Sequence, residues 1–290
     1  MKILIIGAGG FTGSYLFKLL SKKYEVIGAS THDRSFEKLE LSQFSQTYKK
    51  LKKITPDAIC LPAGITNMDY IENNPETTRK INVLGTANIV NYCKESNCKM
   101  VFFSSDAIFD GKNGPYSEDA KPNPISEYGR QKLEAENFVR KLNNFVIIRT
   151  SSIYGWDKRK LNFVSRLIGS LKSSMEFKAP EEQFYTPTYV VDLAFAALKL
   201  LEKDLSGTYN IAGPDFMSRH QIALAVCEVF GFKKELVVPV KSPHASQAAK
   251  RPRYGGLVNT KAVNELGIKL KTLKEGLKDM LKNQNFDGIK

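Results

Sequence analysis

The chain has 290 residues, 42% hydrophobic and 25% charged, enough for one large α/β domain or a domain with a smaller lobe, and too apolar for a disordered chain. Its net charge of +13 is spread along the sequence, and only Lys49, Lys50, Lys52 and Lys53 are densely grouped. That spread fits a solvated helix face and a polyanionic small substrate, and no nucleic-acid partner is expected.

No run of 18 apolar residues occurs, so no membrane partner is expected. The apolar stretch of MKILIIGAGG is too short for a signal peptide and reads as a first strand. Four cysteines without CxxC spacing (Cys60, Cys93, Cys98 and Cys227) fit a reducing, cytoplasmic setting, with no zinc or other metal expected.

In chain order, KILII (2–6) is a short continuous apolar run, as a buried parallel strand requires. A glycine-rich turn leads into SYLFKLLSKK, with Leu16, Leu19 and Leu20 at helical spacing. Further strands are predicted at 25–30, 57–62, 99–105 and 145–152, with helices at 76–96 and 127–142 between them. This alternation predicts an α/β fold, a Rossmann-type doubly wound parallel sheet covered on both faces. Beyond Gly155 the pattern loosens. Helices are predicted at 161–172 and 218–230, a helix with its lead-in at 186–202, a strand at 207–213, and mostly loop over 237–256. The domains follow: a dinucleotide-binding domain over 1–155, to which 186–212 returns, and a smaller C-terminal substrate lobe from 156–185 and 213–290.

GAGGFTG sets Gly7, Gly10 and Gly13 at G-x-x-G-x-x-G spacing between a strand and a helix. Glycine lets the backbone approach a pyrophosphate closely, and a helix N-terminus offers it unpaired N–H groups. An NAD site would place an acidic residue at the end of the second strand; here Ser30 stands there, followed by THDR. The small hydroxyl leaves room for a 2′-phosphate and Arg34 offers a partner, so NADP(H) is favoured and NAD(H) remains open, Asp33 arguing for the latter. Glu40 and Leu41 fall where the adenine is expected.

In SEYGRQKLEAENF (126–138), Tyr128 and Lys132 stand four apart, on one face of a helix. A tyrosine with an ordinary pKa of about 10 is a poor acid at neutral pH, and a neighbouring ammonium is expected to lower it. Ser104 and Ser105 close a strand 23 residues upstream of Tyr128, at the sheet edge where α/β folds bind ligands.

Glycine turn, strand-end serine and Tyr-x-x-x-Lys, in that order, resemble the extended short-chain dehydrogenase/reductase superfamily. INVLGTAN (81–88) is typical of that branch. SSDAIFDGKNGPYSED, PNPISEYGRQKLEAE, RTSSIYG (149–155), QFYTPTYVVDLA (183–194), GTYNIAG and KRPRYGGL (250–257) together resemble the dTDP-4-dehydrorhamnose reductase family over essentially the whole chain. The resemblance implies reduction of the 4-keto group of a nucleotide-linked deoxysugar by NAD(P)H, with Ser105, Tyr128 and Lys132 as the catalytic trio and Asn82 holding the lysine's hydration. It implies further cofactor contacts at Phe11 and Thr12, at Pro62, Ala63 and Gly64, and at Ser151 and Ile153. It places Thr66, Asp106, Ser152, Gln183 and Arg251 with Ser105 around a nucleotide-sugar substrate, and implies a homodimer.

Two departures stand out. Ala107 and Ser152 occupy sugar-facing positions where the family often has Tyr and Trp, which implies a wider pocket. Ala107 also argues against a 4,6-dehydratase, which needs a second acid there. A 4-epimerase with tightly held NAD stays open, as does a non-catalytic NADP-binding subunit like that of methionine adenosyltransferase. His32, His220 and His244 show no metal spacing.

Overall fold

The computed structural model describes residues 1–157, 159–241 and 247–283; His244 lies outside the described residues. One parallel sheet contains β1 (Lys2–Ile6), β2 (Glu25–Ser30), β3 (Glu37–Lys38), β4 (Ala58–Leu61), β5 (Lys99–Ser105), β6 (Phe145–Thr150) and a last strand, Gly207–Asn210. Across the sheet the order is Gly207–Asn210, β6, β5, β4, β1, β2, β3. Ile3 pairs with Val26 on one side and Ala58 on the other. The chain therefore winds outward from β1 in both directions, the expected Rossmann-type arrangement, and its switch point lies at the carboxyl ends of β1 and β4.

The two-residue period of a strand decides the layers. Ile3 and Ile5 face one way and join a core with α1 (Phe11–Leu20), α8 (Val190–Glu202) and α10 (Thr260–Leu266), through Leu16, Leu20, Leu193 and Leu266. Leu4 and Ile6 face the other way, toward α2 (Phe44–Ile54), α5 (Gly85–Ser96) and α6 (Glu127–Val139), through Leu51, Ile89 and Val139. α8 and the strand Gly207–Asn210 pack with this sheet. So does α10, which the sequence reading assigned to the lobe; Ala262, Leu266, Ile268 and Leu270 are buried with the sheet core.

The helix predicted over 76–96 is broken. After α3 (Met68–Asn73), α4 (Pro75–Arg79) runs into a π-helical segment, Lys80–Leu84, before α5 begins. A π-segment inserts one extra residue per turn and re-aims the side chains around it. Asn82 and Val83 are the side chains it buries.

The lobe closes around α7 (Phe163–Lys172), α9 (Arg219–Phe230) and α11 (Leu273–Lys282), with Leu167, Val226 and Leu277 at its core. The predicted loop from 237 begins as a strand, Val237–Val240, pairing in parallel with Phe177–Pro180. Among the described residues no helix is long and apolar enough to cross a membrane.

Candidate active site

The glycine turn is a cradle that side chains would fill. A Cβ on Gly13 would lie 1.9 Å from Gly7 O, and one on Gly7, whose φ is +102°, would lie 2.9 Å from the Ala63 backbone. Pro62, Ala63 and Gly64 thus form the opposite lip, with Ala63 N donating to Ile6 O at 3.1 Å. Gly10 caps α1 without any side-chain hydrogen bond, and the first turn holds no acidic residue. Phe11 and Thr12 are partly buried in that turn. Free N–H groups, a positive helix end and room for a close backbone approach fit a dinucleotide pyrophosphate.

Ser30 ends β2, and its Oγ accepts from His32 N at 3.4 Å and Asp33 N at 3.1 Å. That turn carries Asp33 onto the glycines: a Cβ on Gly9 would meet Asp33 Cβ and Ser30 Oγ at 2.8 Å. Arg34 lines a separate hollow with Phe17, Gly28, Phe36 and Lys50. The acidic side chain, not the guanidinium, is therefore beside the turn. Glu40 Oε1 accepts from Ser42 Oγ, and Leu41 is buried against Gly85.

Ser105 and Tyr128 are brought together, Ser105 at the end of β5 and Tyr128 in the first turn of α6. Ser126 caps α6 by accepting from Gly129 N, and a Cβ on Gly129 would strike Ala107 O at 2.0 Å. Gly129 is what lets α6 lie against the strand end. Ser105 Oγ donates to Asp106 Oδ1 at 3.1 Å and accepts from Ala107 N at 3.2 Å, and the Tyr128 phenol hydrogen-bonds Ser105.

The electrostatics differ from the expectation. Burial pushes the Tyr128 phenol up to about 12; Ser105 opposes this and Asp106 adds to it. Lys132 does not depress it. Its Nζ lies 6.0 Å from the Tyr128 ring centre, over the Phe102 ring, and donates to Phe103 O at 2.7 Å. Burial lowers Lys132 itself to about 8, with Glu136 acting the other way. Desolvation outweighs the pairing of the two groups. Asn82 is held between the loop after β4 and α6. Its Oδ1 accepts from Ile65 N at 2.8 Å, and its Nδ2 donates to Ile65 O at 3.1 Å and Gln131 Oε1 at 3.0 Å. The side chain braces the loop after β4 against α6.

Ser105, Asp106, Tyr128, Ser152, Gln183 and Arg251 line one cleft of about 730 Å³ between sheet edge and lobe. Thr66 is exposed outside it; α3 begins after the Asn67 cap and presents Met68 and Asp69 instead. Arg251, expected beside the substrate, grips Asp69 with both Nη atoms, at 3.2 and 2.9 Å. Ser151 Oγ donates to Asp106 Oδ2 at 2.5 Å, on the substrate side, and Ile153 pairs with Thr188. Asp106 also accepts from Gly256 N at 3.0 Å; burial raises its pKa against these three donors. The cleft further holds Arg166, Tyr185 and Arg219, which the sequence reading missed. Arg219 had a readable signal: Ser218 and Gln221 form a capping box, so the arginine stands in a helix's first turn, where the dipole disfavours a cation.

A parallel doubly wound sheet with a glycine cradle at its switch point and a Ser–Tyr–Lys set at the adjoining strand end defines a Rossmann-type protein of the short-chain dehydrogenase/reductase kind. More narrowly, the chain belongs to the family described as the RmlD substrate binding domain, whose model matches residues 1–286. A crystal structure named dTDP-4-dehydrorhamnose reductase from Bacillus anthracis, in complex with NADP, superposes with a TM-score of 0.89 at 28% identity, covering 97% of this chain and 98% of that one. Haloferax volcanii Agl14, a probable low-salt glycan biosynthesis reductase, is 27% identical over 96% of each chain. The bovine methionine adenosyltransferase 2 subunit beta is 27% identical over 97% of this chain and 87% of its own.

Proposed function

We propose that the protein is an NAD(P)H-dependent reductase of the 4-keto group of a nucleotide-linked deoxysugar, with dTDP-4-dehydrorhamnose as the foremost substrate. The observation that carries this is the meeting of Ser105 and Tyr128 on one cleft wall beside the glycine cradle. The bound dinucleotide would supply the hydride. Gly7, Gly10, Gly13 and the N-terminus of α1 would hold its pyrophosphate, and Lys132 its nicotinamide ribose.

The phenol is protonated at neutral pH, which is the state a reduction needs in its acid. Tyr128 gives its proton to the developing alkoxide. Ser105 turns its hydroxyl from Asp106 to the same oxygen, worth about 3 kcal/mol if it acts as one oxyanion donor. Ala107 and Ser152 leave space where the family's larger side chains stand.

The sequence favours NADP(H), through Ser30 and Arg34. The position of Asp33 moves the balance toward NAD(H), since a carboxylate there accepts from a 2′-hydroxyl and repels a 2′-phosphate. A homodimer across the side of α5 and α6, the helix that follows Pro75 and the helix of Tyr128, completes the reading; Leu84 is exposed at the start of α5.

The test is coenzyme oxidation with dTDP-, UDP- and GDP-linked 4-keto sugars. Turnover on one of them is expected, and no turnover on any sinks the reading. The full-length match to methionine adenosyltransferase beta subunits favours a second reading, a regulatory subunit. Co-purification of a synthetase partner with no coenzyme oxidation would establish it.

A further inference from the structure

The guanidinium of Arg219 enters the cleft from the lobe, at the start of α9, and faces the same space as Ser105 and Tyr128. It lies 4.4 Å from the centre of the Tyr185 ring and 4.7 Å from that of Phe163. Nη1 donates to Ser152 Oγ at 3.1 Å. Ser152 has φ +44°, a left-handed backbone unusual outside glycine. Its short side chain leaves the space that the guanidinium occupies, so the pocket widened by serine is filled by a cation.

A guanidinium has five N–H donors in a rigid fork. Ser152 takes one and the Tyr185 hydroxyl lies within reach of another. Among the described residues no carboxylate forms an ion pair with Arg219. Asp69 is engaged by Arg251; Asp106 accepts from Ser105, Ser151 and Gly256 and favours the Arg219 charge from a distance, without a direct ion pair. Arg166, exposed on α7, lines the same cleft, pairs with no carboxylate among the described residues, and opposes the Arg219 charge. Burial and Arg166 disfavour the Arg219 charge, Tyr185 and Asp106 favour it, and an anionic ligand in direct contact would favour it further.

We propose that Arg219, supported by Arg166, is the oxyanion-binding and specificity-determining pair of the cleft, taking a phosphate or carboxylate group of the substrate. This rests on the cleft being the substrate site. The oxyanion has two possible sources, the diphosphate that links sugar to nucleoside or a carboxylate on the sugar itself. A guanidinium fork matches either.

The test uses the full chain saturated with NADP⁺, so that the glycine cradle takes no probe. Inorganic pyrophosphate and glucuronate are titrated separately by calorimetry. One of the two is expected to bind, with its Kd raised about tenfold or more in Arg219→Met and less in Arg219→Lys, the scale of a lost charge-assisted hydrogen bond. Pyrophosphate as the responsive probe assigns the linking diphosphate; glucuronate assigns an acidic sugar. Unchanged coenzyme affinity in Arg219→Met shows that the variant folds. Should it not fold, Arg166→Met, on an exposed helix face, is expected to weaken the same probe about threefold or more. Equal binding by wild type and the folded variants, or no binding of either probe to wild type, overturns the assignment. Pyrophosphate binding that needs Arg219, in a protein that oxidises no coenzyme on any keto-sugar nucleotide, would keep this site and sink the reductase reading.

Discussion

Lys132 Nζ donates to Phe103 O at 2.7 Å while standing 6.0 Å from the centre of the Tyr128 ring. The lysine is thus fastened to the strand that ends in Ser105, and its charge is kept in a buried site at a cost in basicity. Burial lowers it to about 8, against the pull of Glu136. The protonated form, present below that pH, has a third donor and a charge, and so binds a ribose hydroxyl more strongly than the neutral amine. We expect kcat/KM for the coenzyme, which reports groups of the free enzyme, to be level below pH 8 and to fall above it. In Lys132→Arg the fall should vanish from the range up to pH 10, whatever activity is left, because a guanidinium does not titrate there. A wild-type profile level to pH 10 would remove Lys132 from coenzyme binding.

Tyr128 meets Ser105 in the cleft as an acid that stays protonated throughout the neutral range. Tyr128→Phe removes the proton and keeps the ring. It should lower kcat at least about 100-fold, the usual scale for a general acid, with coenzyme affinity unchanged. Stopped-flow turnover beside coenzyme titration separates the two quantities, and near-normal turnover would exclude the phenol from the mechanism.

Much of this was legible in the sequence, because the cradle and the trio are local patterns. Gly7, Gly10 and Gly13 lie in one turn, and Tyr128 and Lys132 share one helix face. What escaped comes from packing between distant segments. Arg166 and Arg219 reach the cleft only because α7 and α9 close the lobe over the sheet edge. Asn82 is re-aimed by a π-segment that no periodicity announces. α10 looks like a lobe helix until its Ala262 and Leu266 meet the sheet core. The expected lowering of Tyr128 failed because sequence spacing says that two groups share a face, but not how dry that face is.

On the proposed reading, coenzyme choice turns on Asp33. With its carboxylate against the glycine turn, NADH should be used at least as well as NADPH. Asp33→Ala should shift the ratio of kcat/KM values toward NADPH about tenfold, within the range of one screened like-charge pair a few ångströms apart. Parallel kinetics with the two coenzymes check it. A ratio unmoved by the substitution would leave Ser30 and Arg34 as the deciding residues.

Beneath the site, Arg149 and Glu136 form a buried two-pronged pair, with Nε to Oε1 at 3.0 Å and Nη2 to Oε2 at 2.8 Å. Both are nearly inaccessible, at 2% and 0% exposure, so removing one partner strands the other. Glu136→Gln should therefore cost about 3–5 kcal/mol of stability, far more than a surface ion pair. Desolvation raises the Glu136 carboxyl, but the bonds and charge of Arg149 prevail and leave it below its ordinary value. For a depressed carboxylate the contribution is present above the unfolded pKa and is lost as pH falls through the folded one. Wild type should accordingly lose stability on acidification below about pH 4, where an unperturbed glutamate begins to protonate. Glu136→Gln should lack that part of the loss. Urea melts of both proteins from neutral to acid pH measure the difference; parallel curves would show that the pair contributes nothing to acid sensitivity.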